Sequence, residues 1–160
     1  MSEQSVHWLT EAEQQVWRRW LRVQTELPSA LGRALSKDSQ LSLQDYETIV
    51  RLAETDGERL RISVLAEQMH WERSRLSHHL RRMESRGLIV KEECITDGRG
   101  SYVRLTAAGR SAQAEAAPGH VRAVREYFLD GIDEADLAAL GRVLSVVLER
   151  TAEGPRSEEL

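Results

Sequence analysis

WERSRLSHHLRRMESRG, residues 71–87, is the stretch that decides the fold of this chain. Leu76, Leu80 and Met83 recur at helical spacing and form one apolar stripe. Basic side chains fill the other faces, namely Arg73, Arg75, His78, His79, Arg81, Arg82 and Arg86. Such a helix buries a narrow seam and offers a cationic surface. Taken alone, it also fits an ordinary solvated surface helix, so the neighbouring elements have to decide between the two.

Those neighbours predict a helix-turn-helix. Upstream, Ser63 is a candidate N-cap for a short helix whose apolar residues are Val64, Leu65, Ala66 and Met69. A few residues then separate this helix from the basic one, which is the outline of a helix-turn-helix whose second helix is cationic. Downstream, Gly87 is placed to end the basic helix in a left-handed conformation, and Leu88-Ile89-Val90 begins a β-rich run.

A β-hairpin is predicted next in the chain. Residues 88–95 and 101–105 are β-rich and flank the turn Thr96-Asp97-Gly98-Arg99-Gly100, which places Arg99 at the hairpin tip. A helix-turn-helix followed by such a hairpin is a winged helix. Thr106 is placed to cap the helix that follows the hairpin.

Amphipathic helices flank this core on both sides. Thr10 and Glu13 form a capping-box pattern, and Ser42 with Asp45 can cap a second helix. The apolar stripe of the first helix includes Trp17 and Trp20, and that of the last helix runs from Leu137 to Leu148. We expect a kink or break near Pro28 and a bend at Pro118-Gly119.

We therefore predict a mainly α, α+β winged-helix protein. Its parts are an N-terminal dimerisation helix (1–38), a winged helix-turn-helix core (39–106), C-terminal dimerisation helices (107–152) and a flexible tail (153–160). The wide apolar faces outside the core favour a homodimer with interleaved helices, and an intrachain bundle is the alternative.

Charge is segregated along the chain. The net charge is −4, yet residues 59–110 carry eleven Lys or Arg against six Asp or Glu, a local net charge of +5. A local cationic surface on an acidic body fits a polyanionic partner such as DNA. We find no membrane span and no signal peptide pattern, so we expect a cytoplasmic protein with no membrane partner.

The sequence does not favour an enzyme or a metalloprotein. It has no nucleophile elbow, no phosphate-binding glycine loop and no His-carboxylate spacing typical of catalysis. The five histidines and the single Cys94 do not show zinc-ligand spacing, so we predict neither a metal nor another cofactor. Cys94 lies in the first wing strand, where we favour an inert thiol over a redox sensor.

Several of these positions together resemble the multiple-antibiotic-resistance regulator (MarR) family. The resemblance lies in Leu65-Ala66, Ser74-Arg75-Leu76-Ser77, Leu80, Met83-Glu84, Arg86-Gly87-Leu88-Ile89, Asp97-x-Arg99 and Leu105-Thr106-x-x-Gly109. It implies a homodimeric transcription regulator, usually a repressor, whose two winged helices bind a palindromic operator and often release it when a small molecule or oxidant acts. One departure is His70-Trp71, where the family often has glycine in the turn.

The resemblance also implies roles for individual residues. On the recognition helix, Arg73, Ser74, Arg75, Ser77, His78, Arg81 and Arg82 would face the major groove, with Arg73 to His78 toward bases and Arg81 to Arg86 toward phosphate. Arg99 would enter the minor groove, Asp97 would hold the wing, and Ser63 would contact phosphate.

Two further expectations complete this reading. The family resemblance places an effector pocket between the dimer helices and the winged helix, near Trp17, Trp20, Arg51 and His120. The competing function is a winged-helix module that docks proteins without binding DNA. Loss of the basic helix face and of the wing arginine would favour that alternative, and both features are present.

Overall fold

Helices make up most of the molecule. The computed structural model describes residues 6–93 and 101–153. In chain order the elements are α1 (Glu11–Asp38), α2 (Leu43–Ala53), β1 (Arg59–Arg61), α3 (Ile62–Gln68), α4 (Arg73–Ser85), β2 (Ile89–Glu93), β3 (Ser101–Leu105), α5 (Ala107–Val124) and α6 (Glu134–Glu153). A 3₁₀ turn (Asp56–Glu58) precedes β1, and a π-helical turn (Arg125–Leu129) follows α5. The predicted mainly α winged-helix class is confirmed.

Side-chain caps begin three of the helices where the sequence predicts them. The Thr10 hydroxyl accepts from the Glu13 N–H, and the Glu13 carboxylate accepts from the Thr10 N–H at 2.7 Å. Ser42 and Asp45 repeat this reciprocal pair at the start of α2, with distances of 3.1 and 2.9 Å. At α5, the Thr106 hydroxyl accepts from the Gly109 N–H at 3.0 Å. These bonds satisfy backbone donors that a helix start leaves without partners.

One predicted helix start is wrong. Ser63 does not cap α3, because the helix begins at Ile62 and the N-cap residue is Arg61. Arg61 pairs with Tyr102 in the sheet and is therefore held extended directly before the helix, so the helix starts two residues earlier than a Ser63 cap requires. The helix α1 runs through Pro28 without a break, and α5 runs through Pro118, so neither proline ends its helix; a kink at Pro28 and a bend at Pro118-Gly119 stay predictions. A proline removes one backbone donor, and long packed helices tolerate that loss.

The sheet has the strand order β1, β3, β2, and all of its pairings are antiparallel. Leu60 lies opposite Val103, and Ile89 lies opposite Leu105. All four side chains are buried and point to the same face, on which the helices pack. The opposite face carries Arg59, Arg61, Tyr102 and Arg104. The two strands of the wing therefore emerge from the hydrophobic core, and their connection lies outside the described residues.

One continuous core joins the winged helix to its flanking helices. It combines buried residues of α2, α3, α4 and the sheet with Leu35 of α1 and Ala116 of α5. Leu35, Ile49, Leu52, Leu65 and Leu80 are at most 1% exposed. The C-terminal part of α1 and the middle of α5 are thus fixed against the winged helix. No helix within the described ranges has the length and apolar content to cross a bilayer.

The end of α4, the wing and the start of α5 meet at one junction. Gly87 has a φ of +72°, its N–H donates to the Glu84 carbonyl, and the Leu88 N–H donates to the Met83 carbonyl. This pair of bonds is a Schellman motif, which glycine favours because it has no Cβ. The Leu88 carbonyl in turn accepts from the Thr106 N–H at 3.2 Å. A Cβ on Gly109 would lie 2.1 Å from the same carbonyl oxygen, so only glycine fits there.

Candidate nucleic-acid interface

The helix α4 is anchored by a buried seam. Leu76, Leu80 and Met83 are fully buried, as the periodicity predicts. Their combined burial favours this helix position by several kcal/mol, at about 1.5–3 kcal/mol for each fully buried side chain. The seam fixes which face of α4 points outward.

Every predicted contact residue on α4 is exposed. The exposed side chains are Arg73, Ser74, Arg75, Ser77, His78, Arg81 and Arg82. Ser63 is also exposed and lies in the first turn of α3, and the 3₁₀-to-strand segment before it carries Arg59 and Arg61. The structure therefore brings the α4 set together on one outward face with four arginines. Such a face suits a polyanion, because arginine can bind both phosphates and guanine edges.

The turn between α3 and α4 is set by His70 and Trp71. His70 has a φ of +51°, in the left-handed region that favours glycine. The Trp71 N–H then donates to the Ala66 carbonyl at 2.9 Å, which closes the turn. Trp71 is half-buried and packs against the core. His70 thus adopts in this turn a backbone conformation that glycine ordinarily supplies.

Trp71 also contacts the outward face of α4. The Arg75 guanidinium carbon lies 4.0 Å from the centroid of the Trp71 ring. On the inner side, the Trp71 and His79 rings form a T-shaped pair with centroids 5.2 Å apart. Trp71 is therefore a bridge between an exposed arginine and the core.

His79 is a buried residue that the sequence reasoning placed on the outer surface. It is 3% exposed. Its Nε2 lies 3.2 Å from the Thr48 hydroxyl and 3.7 Å from Asp45 Oδ1. Because the Thr48 hydroxyl donates to the Gln44 carbonyl, we assign the Nε2–H as the donor to Thr48. The position falls three residues after Leu76 and four before Met83, and this spacing was the signal for burial.

The charge state of His79 follows from its surroundings. Burial lowers the pKa of its imidazole, the nearby Asp45 raises it in part, and the positive charges of Arg82 and Arg75 lower it again. The net direction is downward, so the neutral form prevails near neutral pH. His79 is thus a neutral hydrogen-bonding group inside the core.

Arg86 does not project toward phosphate as expected. Its Nη1 donates to Asp45 Oδ2 at 2.8 Å, and its Nη2 donates to the Gln40 carbonyl. Burial raises the pKa of the Asp45 carboxyl, but the hydrogen bonds from Arg86 and Ser42 outweigh it and leave the pKa below its ordinary value. Arg86 therefore fastens the end of α4 to the start of α2.

The wing arginine, Arg99, and its predicted support, Asp97, lie outside the described residues, as does Cys94. The described part of the wing carries other cations on its outer face. The Arg59 guanidinium lies 3.9 Å from the Tyr102 ring centroid, and Arg59 and Arg104 both pair with Glu92, at 3.1 and 2.6 Å. These contacts were not predicted. They hold the outer side chains of three strands together.

A separate cleft of about 470 Å³ lies between α1, α2 and α5. Two of the four predicted effector-pocket residues, Arg51 and His120, line it, and the rings of Tyr46 and His120 form a tilted pair with centroids 4.6 Å apart and an interplanar angle of 42°. Trp17 and Trp20 do not line this cleft, and they are 52% and 38% exposed.

Two polar atoms at this cleft lack partners. Arg51 Nε and His120 Nδ1 are buried and have no hydrogen-bond partner among the residues that the structure describes. Burial lowers the pKa of His120, and the charge of Glu47 opposes that shift in part. The rest of the lining is mainly apolar, with Leu27, Leu31 and Val50. The cleft thus combines an apolar wall with hydrogen-bonding groups that a ligand can satisfy.

Comparison with known proteins identifies the family. The model of the MarR family matches residues 39–100. AbsC, a MarR family transcriptional regulator from Streptomyces coelicolor, is 37% identical over 93% of this chain and 100% of that one, with a TM-score of 0.85. The chain belongs to the MarR family.

One further solved structure of a MarR family regulator supports the same conclusion, and a more distant structure shares the fold. Sco3205 from Streptomyces coelicolor, solved in complex with DNA, is 35% identical over 97% of this chain and 96% of that chain, with a TM-score of 0.85. CouR from Rhodococcus jostii RHA1, solved bound to p-coumaroyl-CoA, shares the fold at 23% identity, 82% and 90% coverage and a TM-score of 0.70. No curated protein sequence matches the chain significantly. Members of the MarR family are DNA-binding transcriptional regulators and not enzymes, and this chain is one of them.

Proposed function

We propose that this MarR family member is a homodimeric repressor that binds a palindromic operator and releases it when a small molecule occupies the cleft at Arg51 and His120. The observation that carries the DNA-binding part is the outward face of α4. Four arginines and three smaller polar side chains are exposed there, while a fully buried seam fixes the helix beneath them. The DNA complex of Sco3205 supports the same use of this fold at 35% identity.

The exposed apolar residues support a homodimer. The helix α6 packs against the rest of the described chain through isolated contacts only, although Leu137, Val143, Val147 and Leu148 are each more than 45% exposed. The first half of α1 is equally uncovered, with Val16 64% and Trp17 52% exposed. Both helices are amphipathic, and the described chain does not pack their apolar faces into an intrachain bundle but leaves them exposed. A second copy that supplies the same two helices covers them.

A palindromic operator follows from a two-fold dimer. Two copies of α4 then enter successive major grooves about 34 Å apart, and the half-sites are inverted repeats. We assign base reading to the N-terminal residues Arg73 and Arg75, and phosphate contact to Arg81 and Arg82. We assign minor-groove contact to Arg99 on the strength of the family resemblance.

A salt titration of DNA binding tests the proposal. Duplex fragments from the upstream region of the gene are titrated by fluorescence anisotropy over a salt series. If the dimer neutralises about four phosphates, through Arg81 and Arg82 of each copy, the log-log slope is about −3.6. We expect Arg99→Ala to weaken binding with little loss of base preference, whereas Arg73→Ala and Arg75→Ala also relax it. Absent or salt-insensitive binding of every fragment refutes the proposal, and equal relaxation by all three variants refutes the assignment of roles.

The oligomeric state is tested separately by sedimentation. We expect a dimer for the wild-type chain and a shift to monomer for Leu148→Glu, because this side chain is 68% exposed on the apolar face of α6. Arg142→Glu, an exposed position on the same helix, is the matched control and should stay dimeric. A wild-type monomer that still binds single half-sites contradicts the homodimer.

A further inference from the structure

We propose that Trp71 is a positioning residue for base recognition, since its indole ring holds the Arg75 guanidinium in the orientation that reads a base pair. This inference rests on the proposed DNA-binding function. It assigns a specific task to the tryptophan of the turn between α3 and α4. The alternative is that Trp71 only fills space in the core.

The contact geometry leaves the arginine free to read DNA. The guanidinium carbon of Arg75 lies over the Trp71 ring, 4.0 Å from its centroid, which is well within the range of a cation–π contact. A stacked guanidinium engages the indole with its face, and its N–H donors lie in the guanidinium plane. Those donors therefore remain available for the two acceptors on the major-groove edge of guanine.

The indole itself is fixed from the core side. The backbone N–H of Trp71 donates to Ala66 in α3, and the ring meets His79 at an interplanar angle of 78°. His79 is buried and bonded to Thr48 of α2. A chain of contacts thus runs from α2 through the imidazole and the indole to an exposed guanidinium. Space filling alone does not account for the outer end of this chain.

The position of Arg75 suits base reading. It lies in the first turn of α4, and in helix-turn-helix proteins the N-terminal residues of the recognition helix reach base edges. Within α4, whose residues are all described, Arg75 is the arginine that lies over an aromatic ring. An exposed arginine without such support loses more side-chain entropy when it binds. The indole reduces that loss before the DNA arrives.

Two substitutions of Trp71 separate positioning from space filling. Trp71→Phe keeps an aromatic face, and Trp71→Leu keeps an apolar filler without one. Duplexes are selected from a randomised library with each of five proteins, namely the wild type, Trp71→Phe, Trp71→Leu, Arg75→Ala and the control Arg82→Ala. The affinities of the selected sequence and of each single-base-pair variant are then measured at fixed salt.

We expect Arg75→Ala to reduce discrimination about tenfold at one base pair of each half-site. Trp71→Leu should reduce discrimination at that same base pair about threefold, with the other base pairs and the salt slope unchanged. Trp71→Phe should retain most of it, and Arg82→Ala should weaken all sequences alike. Wild-type preferences in Trp71→Leu, or a uniform loss at every base pair, overturn the positioning role while the DNA-binding function stands. A wild-type protein that enriches no sequence overturns both.

A measurement on the unmodified protein keeps the proposal testable if the Trp71 variants do not fold. Stacking on the indole shifts the NMR signals of the Arg75 side-chain protons upfield through the ring current. We expect this shift in the DNA-free wild type. Arg75 signals at ordinary exposed-arginine positions contradict the preorganised contact.

Discussion

Replacing Arg86 by alanine tests whether this arginine holds the fold or holds DNA. Its guanidinium donates to Asp45 Oδ2 at 2.8 Å and to the Gln40 carbonyl, and so connects the end of α4 with the segment that begins α2. The Asp45 side chain is only 8% exposed, whereas that of Arg86 is 38% exposed. The substitution therefore leaves a buried carboxylate that keeps the Ser42 N–H but loses its positive partner.

The expected cost lies between two limits. Removing one partner of a fully buried ion pair costs about 3–5 kcal/mol, whereas an exposed pair is worth about 0–1 kcal/mol. Because Asp45 is buried and Arg86 is more than a third exposed, we expect the free energy of unfolding to fall by about 2 kcal/mol. For a chain of this size that corresponds to a decrease in Tm of about 4–8 °C.

The assay compares Arg86→Ala with Arg82→Ala, an exposed arginine on the same helix. Thermal unfolding is followed by circular dichroism at one protein concentration, since dimer formation makes Tm depend on concentration. We expect Arg82→Ala to change the free energy of unfolding by less than about 0.5 kcal/mol. It should also make the DNA salt slope shallower by about 1.8, because the proposed dimer would lose two of its proposed phosphate contacts. Arg86→Ala should leave that slope unchanged. The opposite pattern, a stable Arg86→Ala with a shallower slope, refutes the structural role.

Three other perturbations test separate parts of the structure. Because burial lowers the pKa of His79, the unfolded chain binds a proton more readily than the folded one. The free energy of unfolding should therefore fall as the pH drops below about 6.5. Urea titrations at several pH values should find a smaller dependence of this free energy on pH in His79→Asn. Gly109→Ala places a Cβ 2.1 Å from the Leu88 carbonyl oxygen and should lower the free energy of unfolding by about 3 kcal/mol. In the control Gly32→Ala the Cβ meets only an ordinary 3.8 Å contact, so calorimetry should find it neutral or stabilising. Benzoate, a small aromatic anion, should shift the NMR signals of the His120 ring on titration. It should bind at least tenfold more weakly to Arg51→Gln. Equal binding of the neutral benzamide would contradict recognition through the charge of Arg51.

Local signals in the sequence predicted the elements well. Reciprocal caps at Thr10 and Ser42 and the glycine stop at Gly87 lie where they were expected, because each depends on a few adjacent residues. The start of α3 was wrong because it depends on Tyr102, which holds Arg61 in the sheet from about forty residues away. A serine's intrinsic preference for a cap is weaker than that pairing.

Only part of the candidate site was predicted from the sequence. The outward residues of α4 follow from its period, but His79 and Arg86 were placed on the outer surface because charged and titratable side chains usually lie there. Their partners, Thr48, Asp45 and Gln40, belong to other elements, and no spacing within α4 reveals them. Likewise, Trp17 and Trp20 share a helix with the cleft lining but lie nearer the N-terminus of α1 than its residues Leu27 and Leu31.

The Leu88 carbonyl is a pivot point for α5, next to the end of α4. One end of this helix is seated on that carbonyl through Thr106 and Gly109, beside the end of α4 and the base of the wing. His120 lies fourteen residues further along, about 21 Å away at 1.5 Å per residue. Across that arm, a sideways displacement of about 2 Å at His120 tilts the helix by about 5° at its seat. Because Ala116 of α5 lies in the shared core between these two points, such a tilt also shifts the core contacts of α5, and it reaches the end of α4 and the base of the wing as a rotation.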